Sequence, residues 1–456
     1  MASACCVAWR PDGKRPGGRF PRETSEDSPA MARQVPVLQG EGMSELQESS
    51  SFPALLMDGV SEFSQYVFSS LPRADQRRWA EVYLRGLMCV EGKKSIRRIA
   101  ESFVPYPAVQ SLQQFLNQSP WDWRPVCRAL RDYVARETSP SALSVGVVHI
   151  PKRGSHSVGV RRRFVKEADR SINSQIGVGL FLTAERSSIP VGWRIVLDDR
   201  WGSDPALRRK VSVPPGYRIE SEWQAILDAL GEYAESGEPI PLLADLRGVQ
   251  GLPALLPGLS NRAQEFLIEV DGGLEVREYG GGPGPGRSGG ADPGPVRLRE
   301  LCVPRGHRSR RRYPVLLLAA DGGRWRPAMT ALVRLADSPG PVRTYRVITQ
   351  PSEKPGRERY WITNMLDQKR WGEMMRLIPL HARHRAELEE FRTTFGVADF
   401  EGRSFVGWQH HMTISSAAFA GSRLVCRKGA PPGADRASWR SGERRPELAD
   451  GLYGGT

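Results

Sequence analysis

The sequence has few cysteines and no long apolar run. Its six cysteines, in 456 residues, form no Cys-x-x-Cys pair and have no histidine at zinc-site spacing. No apolar stretch approaches the roughly 18 residues that a membrane-spanning helix needs, and the first residues lack the apolar core of a secretory signal. These absences argue against a zinc protein and a disulfide-rich secreted protein. They predict a cytoplasmic protein in a reducing compartment, with no membrane partner.

Acidic residues are also in the minority. Asp and Glu number 51 against 65 Lys and Arg, which gives a net charge of +14. A positive surplus favours a polyanionic partner, because each phosphate that a protein neutralises releases condensed counterions. The alternative is that a GC-rich coding sequence has enriched Arg, Gly, Ala and Pro without any binding role.

The ends and the first third of the chain differ in composition from the rest. Residues 1–50 and 416–456 are rich in Pro, Gly, Ser and charge, and are predicted to be a disordered N-terminal extension and a disordered tail. Residues 51–138 have helical periodicity, with short helices and a basic turn between them. This pattern is typical of a helix-turn-helix DNA-binding domain. A plain helical bundle with arginines on its solvated face gives the same pattern.

Residues 139–415 have an α/β pattern. A β-branched run covers Leu143–Ile150, an amphipathic helix surrounds Trp223 and Leu230, and the apolar strand Ile240–Ala244 ends at Asp245. A further β-rich insertion is predicted at about 275–365. Strands and helices in this order predict a mixed sheet covered by helices, with an acid where a buried strand ends.

Five blocks, in order, resemble transposases of the bacterial insertion-sequence group seven-hundred-and-one. Together they span roughly residues 60–415. The blocks are Ser69–Trp79, Lys94–Ala100, Gln118–Trp123, Pro151–Val160 and Glu401–His411. The resemblance implies a ribonuclease H-like fold that carries a DDE triad, in which two Asp and one Glu hold two Mg²⁺ or Mn²⁺ ions for cleavage and transfer of DNA strands. It also implies double-stranded DNA as partner and a homodimer.

The resemblance assigns the acidic triad residue by residue. The second acid corresponds to Asp245, which would ligate metal. The first falls at Gly146 or Val147, neither of which is acidic. Ungapped alignment places the third at Arg385, and Glu387 is the nearest carboxylate that a small shift of register would supply. Asp245 and Glu387 are therefore the predicted catalytic and metal residues, with two of the three family positions substituted.

Basic clusters supply the predicted DNA contacts. The residues are Lys93, Lys94, Arg97, Arg98, Lys152, Arg153, Arg161, Arg162 and Arg163. The preferred hypothesis is a transposase homologue that binds DNA and has impaired or lost strand cleavage. The alternatives are an active metal-dependent enzyme that uses nearby acids, and a non-functional remnant.

Overall fold

The structure is a computed structural model that describes residues 54–104, 108–165, 169–218, 221–235, 237–279, 294–301, 313–318, 325–337, 341–350 and 358–426. The predicted N-terminal extension, and the predicted tail from residue 427 onward, lie outside these ranges. No helix among the described residues has the length and apolar character to cross a membrane.

Five helices come first and two long helices come last. The first group is α1 (Ala54–Val67), α2 (Ala74–Cys89), α3 (Ile96–Phe103), α4 (Val109–Asn117) and α5 (Trp123–Thr138). The central helices are α6 (Asp199–Ser203), α7 (Pro205–Lys210), α8 (Glu222–Ala234), α9 (Leu252–Asn261) and α10 (Leu298–Leu301). The last two are α11 (Trp371–Thr394) and α12 (Phe405–Leu424).

The strands of the described residues join into one twelve-stranded mixed sheet. They are β1 (Ala142–Pro151), β2 (Arg161–Val165), β3 (Arg170–Ala184), β4 (Ser187–Ile195), β5 (Leu242–Asp245), β6 (Phe266–Val270), β7 (Glu275–Glu278), β8 (Val296–Arg297), β9 (Tyr313–Leu318), β10 (Trp325–Leu335), β11 (Tyr345–Gln350) and β12 (Arg359–Thr363). Strands and helices therefore mix as predicted, and the α/β class is confirmed.

The part of the sheet that matters for the site has three antiparallel strands followed by two parallel ones. Strand β3 pairs antiparallel with β4 on one side and β1 on the other. Strands β1, β5 and β6 then run parallel to one another. Strand β12 pairs antiparallel with β6, and strands from residues 275–363 extend the sheet beyond it. Because β1, β5 and β6 are parallel, their carboxyl ends meet at one edge.

Helix α11 covers the face of the sheet that carries Ser144 and Leu243. The apolar side chains of its first half pack on the sheet over β5, β6 and β12. Farther along the helix, buried His384 binds Ser188 of β4 through Nδ1 and the Val145 carbonyl through Nε2. This packing brings the middle of α11 over the carboxyl ends of β1 and β5.

Helix α12 joins the N-terminal helices to the sheet. Almost all of its residues are buried, and it contacts α2, α4, α5 and β4. His411 binds the Tyr83 hydroxyl at 3.0 Å, and His410 binds the Leu116 and Trp121 carbonyls at 2.9 Å each. The boundary predicted at residue 138 therefore marks a change of secondary structure, while the hydrophobic core continues across it. The tail predicted from residue 416 was placed too early, because α12 continues to Leu424.

Candidate active site and basic groove

Asp245 is the last residue of β5, at the carboxyl edge of the parallel strands. In the pairing of β5 with β6, Asp245 lies beside Glu269. Residues in register on neighbouring strands point to the same face, and here that face is the one covered by α11. His381 of α11 completes a cluster in which one ligand atom from each of the three residues lies within 4.8 Å of the others.

Arginines occupy both carboxylates of this cluster. Arg247 binds Asp245 in a bidentate manner, with Nε–Oδ1 and Nη2–Oδ2 distances of 2.9 and 2.6 Å. Arg359 binds Glu269 in the same way, at 3.0 and 2.7 Å. Arg247 also reaches Glu269 at 3.5 Å, and Arg385 of α11 lies 3.8 Å from Asp245. Three guanidinium groups therefore face two carboxylates.

These contacts set the ionisation of the cluster. Burial favours the protonated form of Asp245, but the hydrogen bonds and charge of Arg247 outweigh it and hold the pKa of this carboxyl below its usual range. The hydrogen bond to Asp245 likewise raises the pKa of Arg247. Burial, and then the charge of Arg359, lowers the pKa of His381 to about 2. At pH 7 the carboxylate is charged and the imidazole is neutral.

The first acid is expected at Gly146 or Val147, and of these two Gly146 is on the face of the sheet that α11 covers. Val145 pairs with Ala244, so the next residues, Gly146 and Asp245, are neighbours at the edge of the sheet. A Cβ atom at Gly146 would lie only 2.9 Å from both methyl carbons of Leu388, a residue of α11. Leu388 therefore fills the space in which a carboxylate on this strand would stand.

The third expected position divides between Arg385 and Glu387. Arg385 faces Asp245, whereas residues two apart on a helix point about 200° away from each other. Glu387 is buried on the other side of α11 and binds Arg423 of α12 at 2.8 Å. The Glu387 carboxylate is thus committed to the packing of α11 against α12, and the structure does not bring it to Asp245.

The cluster as it stands does not fit a divalent cation. Mg²⁺ prefers oxygen ligands, and both carboxylates already bind guanidinium groups. The Nδ1 atom of neutral His381 lies 3.0 Å from Nη2 of Arg359. Since arginine is always a donor, Nδ1 accepts this bond and the proton lies on Nε2, which leaves neither nitrogen available to a metal. The three guanidinium groups beside these two carboxylates also repel a cation.

The predicted DNA-binding residues separate into exposed and buried groups. Lys93, Arg97, Arg98, Arg153 and Arg162 are exposed. Lys93 forms an ion pair with Glu401 at 2.6 Å. Arg161 and Arg163 lie 3.3 and 3.9 Å from Asp198, which neutralises part of their charge.

Two of the predicted contacts point inward. Lys94 is buried and its amine donates to the Val90 carbonyl. The amine of Lys152 donates to the Phe400 carbonyl, and burial lowers the pKa of Lys152 to about 8. Both lysines hold backbone segments in place, so neither offers a free ammonium group to a phosphate.

A polar groove of about 960 Å³ lies between α3, α4 and residues 399–404. Its cations are Lys93, Arg97, Lys210 and Arg403, and its acids are Asp399 and Glu401. Helix α4 contributes Gln110, Gln113, Gln114 and Asn117, which recur at i, i+3, i+4 and i+7 and thus form one amide-rich face. Gln118 follows the helix and lines the groove as well.

Glu269 and His381 of the cluster were not predicted from the sequence, and neither were Arg247 and Arg359, which bind the carboxylates of the cluster. A charged residue in the otherwise apolar strand Phe266–Val270 was a usable sign of Glu269. The pairing of Glu269 with Arg359 joins residues 90 positions apart, and no local pattern reports it.

The strand order and the acids at the carboxyl edge are consistent with a ribonuclease H-like domain of the DDE type. A sequence-family model described as DDE superfamily endonuclease matches residues 66–328, more than half of the chain, and the protein belongs to this family. The matched region includes β1 to β6 and Asp245, and it ends before α11. A search of curated protein sequences gave no match.

Proposed function

We propose that this protein is a DNA-binding member of the DDE family whose metal-dependent strand cleavage and transfer is impaired. One observation supports this proposal above all: Asp245, which corresponds to the second acid of the triad, is bound by Arg247 and approached by Arg385. In a two-metal site, carboxylates neutralise the ions that stabilise the developing charge. Here the positive groups next to Asp245 are arginine guanidinium groups.

The neighbouring ligand position supports the same proposal. Leu388 fills the space beside Gly146, so a shift of a nearby acid into this position requires α11 to move. A second carboxylate, Glu269, is held by Arg359. Family membership implies a nucleic acid as substrate, and the loss of one carboxylate ligand is expected to lower the cleavage rate by orders of magnitude without removing affinity for DNA.

The groove beside α4 is the proposed binding surface for double-stranded DNA. Its four cations suit phosphates, and the amide groups of Gln110, Gln113, Gln114 and Asn117 can donate to and accept from base edges, as Asn and Gln do with adenine. A helix with one exposed amide face beside cations is the arrangement that a recognition helix requires. The proposal also includes membership of insertion-sequence group seven-hundred-and-one. It further includes a homodimer that binds paired DNA ends.

The cleavage test compares the wild type with Asp245→Ala. Both proteins are incubated with duplex DNA that carries candidate terminal inverted repeats, in Mg²⁺ and in Mn²⁺. We expect equal, background levels of nicked product from the two. Cleavage by the wild type that Asp245→Ala abolishes would refute the proposed impairment.

Binding is measured separately, as affinity for duplex DNA against salt concentration. If the groove's four cations each contact one phosphate, the slope of log K against log salt is about −3.6. Replacement of Lys210 and Arg403 by Gln is expected to reduce the magnitude of this slope by about 1.8. Affinity that does not depend on salt contradicts DNA binding through this groove.

A second candidate function is an active metal-dependent nuclease. The close approach of Asp245, Glu269 and His381 favours it, since their ligand atoms lie within 4.8 Å of one another. It requires Arg247 and Arg359 to leave the carboxylates when a cation binds. The cleavage comparison above distinguishes the two candidates.

A further inference from the structure

The carboxyl edge of the parallel strands carries arginines beside its acids. Arg247, Arg359 and Arg385 bring three guanidinium groups to Asp245 and Glu269, and Asp271, the residue after β6, acts on Arg247 as a third carboxylate. His381 adds no charge, because it is neutral and its Nδ1 lone pair is already used by Arg359. Three arginines therefore balance three acids at an edge that in an acidic triad attracts cations.

Among these three arginines, Arg385 is the one that forms no hydrogen bond with an acid. Its side chain is 53% exposed, and its approach to Asp245, at 3.8 Å, is too long for a hydrogen bond. Among the residues that the structure describes, no hydrogen bond of Arg385 is found. Both oxygens of Asp245 are bound by Arg247 instead. The donors of Arg385 thus face solvent at the edge of the site.

Arg247 extends the same surface, and Arg359 does not. The Arg247 side chain is 39% exposed, and its Nη1 lies 3.5 Å from Glu269. Arg359 is more deeply placed and uses its donors on Glu269 and His381. Arg385 and Arg247 therefore present partly exposed guanidinium groups at this edge, and Arg359 holds Glu269.

We propose that Arg385, together with Arg247, binds a phosphate of the nucleic-acid backbone directly, without a metal ion. The planar donors of a guanidinium group match the oxygens of a phosphodiester and form short charge-assisted hydrogen bonds with it. This inference rests on the proposed DNA binding and adds a second contact, at the former catalytic edge, to the groove beside α4. The remnant of the catalytic site thereby becomes part of the DNA-binding surface.

The test measures the affinity of the full chain for duplex DNA by fluorescence anisotropy, in EDTA, at several salt concentrations. Arg385→Gln is compared with Arg383→Gln, a matched control on the exposed surface of the same helix, about 200° around its axis. We expect Arg385→Gln to weaken binding about five- to tenfold and to reduce the magnitude of the salt slope by about 0.9. The control should change neither by as much as half of these amounts. Addition of Mg²⁺ to the wild type at constant ionic strength should not strengthen binding.

The outcomes separate this inference from the proposal on which it rests. If the wild type binds DNA and Arg385→Gln equals Arg383→Gln, the phosphate site is overturned and DNA binding stands. If Mg²⁺ strengthens wild-type binding at constant ionic strength, a cation rather than arginine bridges the phosphate, and the inference also fails. A wild type that does not bind DNA overturns both. Circular dichroism of the two variants verifies that each is folded.

Discussion

The contact between Gly146 and Leu388 allows a quantitative test of the claim that Leu388 fills the space of the first acid. A methyl group at Gly146 would lie 2.9 Å from both methyl carbons of Leu388 and 3.2 Å from the Phe181 ring. Overpacking of this kind costs about 1–3 kcal/mol. We expect Gly146→Ala to cost about 1–2 kcal/mol, because the end of the Leu388 side chain can rotate away.

Removal of Leu388 opens the space that the new methyl group needs. Leu388→Ala alone should cost about 2 kcal/mol, the lower end of the range for leucine, because this side chain is only partly buried. In the double variant the methyl group at position 146 occupies part of the cavity. The two changes should then couple favourably by about 1 kcal/mol or more.

The assay is equilibrium unfolding in urea, followed by tryptophan fluorescence, for the wild type, both single variants and the double variant. Gly192→Ala in β4 is the matched control, since a Cβ there meets nothing within 4 Å. Combined with Leu388→Ala, it should be additive. A coupling below about 0.5 kcal/mol between positions 146 and 388 is within the range of independent sites and would refute the claim that Leu388 fills the space of the first acid.

Two further predictions concern buried titratable side chains. Burial lowers the pKa of His384 and of His410 to about 4, and that of His411 to about 3, whereas unfolded histidine titrates near 6.5. The unfolded state therefore binds more protons than the folded state below pH 6.5. As the pH falls from about 6 to 4.5, each histidine should lower the free energy of unfolding by about 1.4 kcal/mol per pH unit. Urea unfolding at three pH values measures this slope, and a pH-independent stability over this range contradicts the burial of these side chains. Glu387→Gln should lower stability by about 3 kcal/mol, the lower end for a broken buried pair, because Glu390 still binds Arg423 at 2.5 Å. The same variant should bind DNA like the wild type, and a Glu387→Gln protein as stable as the wild type would contradict the packing role of this carboxylate.

The sequence predicted those elements whose cause is local. The helical periodicity of residues 51–138 indicated α1 to α5, and the β-branched run Leu143–Ile150 indicated β1. Asp245 at the end of an apolar strand was placed correctly at the carboxyl edge. In each of these cases the spacing of apolar residues along one element determines whether it forms a helix or a strand. This spacing is visible in a short stretch of sequence.

Pairs that are distant in the chain could not be predicted in this way. The periodicity of α11 does not show that Arg385 faces the sheet while Glu387 faces α12, because the helix is buried on several sides. Lys94 and Lys152 were predicted as surface contacts from charge density alone. Whether a lysine is exposed depends on which segment covers it, and here residues 399–401 lie over both.

The position of α12 has a consequence for shortened forms of the protein. Helices α1, α2, α4 and α5 contact this last helix, which also packs through Tyr83 with His411 and Trp121 with His410. A product that stops before Phe405 would leave this contact surface open to water. A fragment made only of the amino-terminal helices is then a target for aggregation and proteolysis.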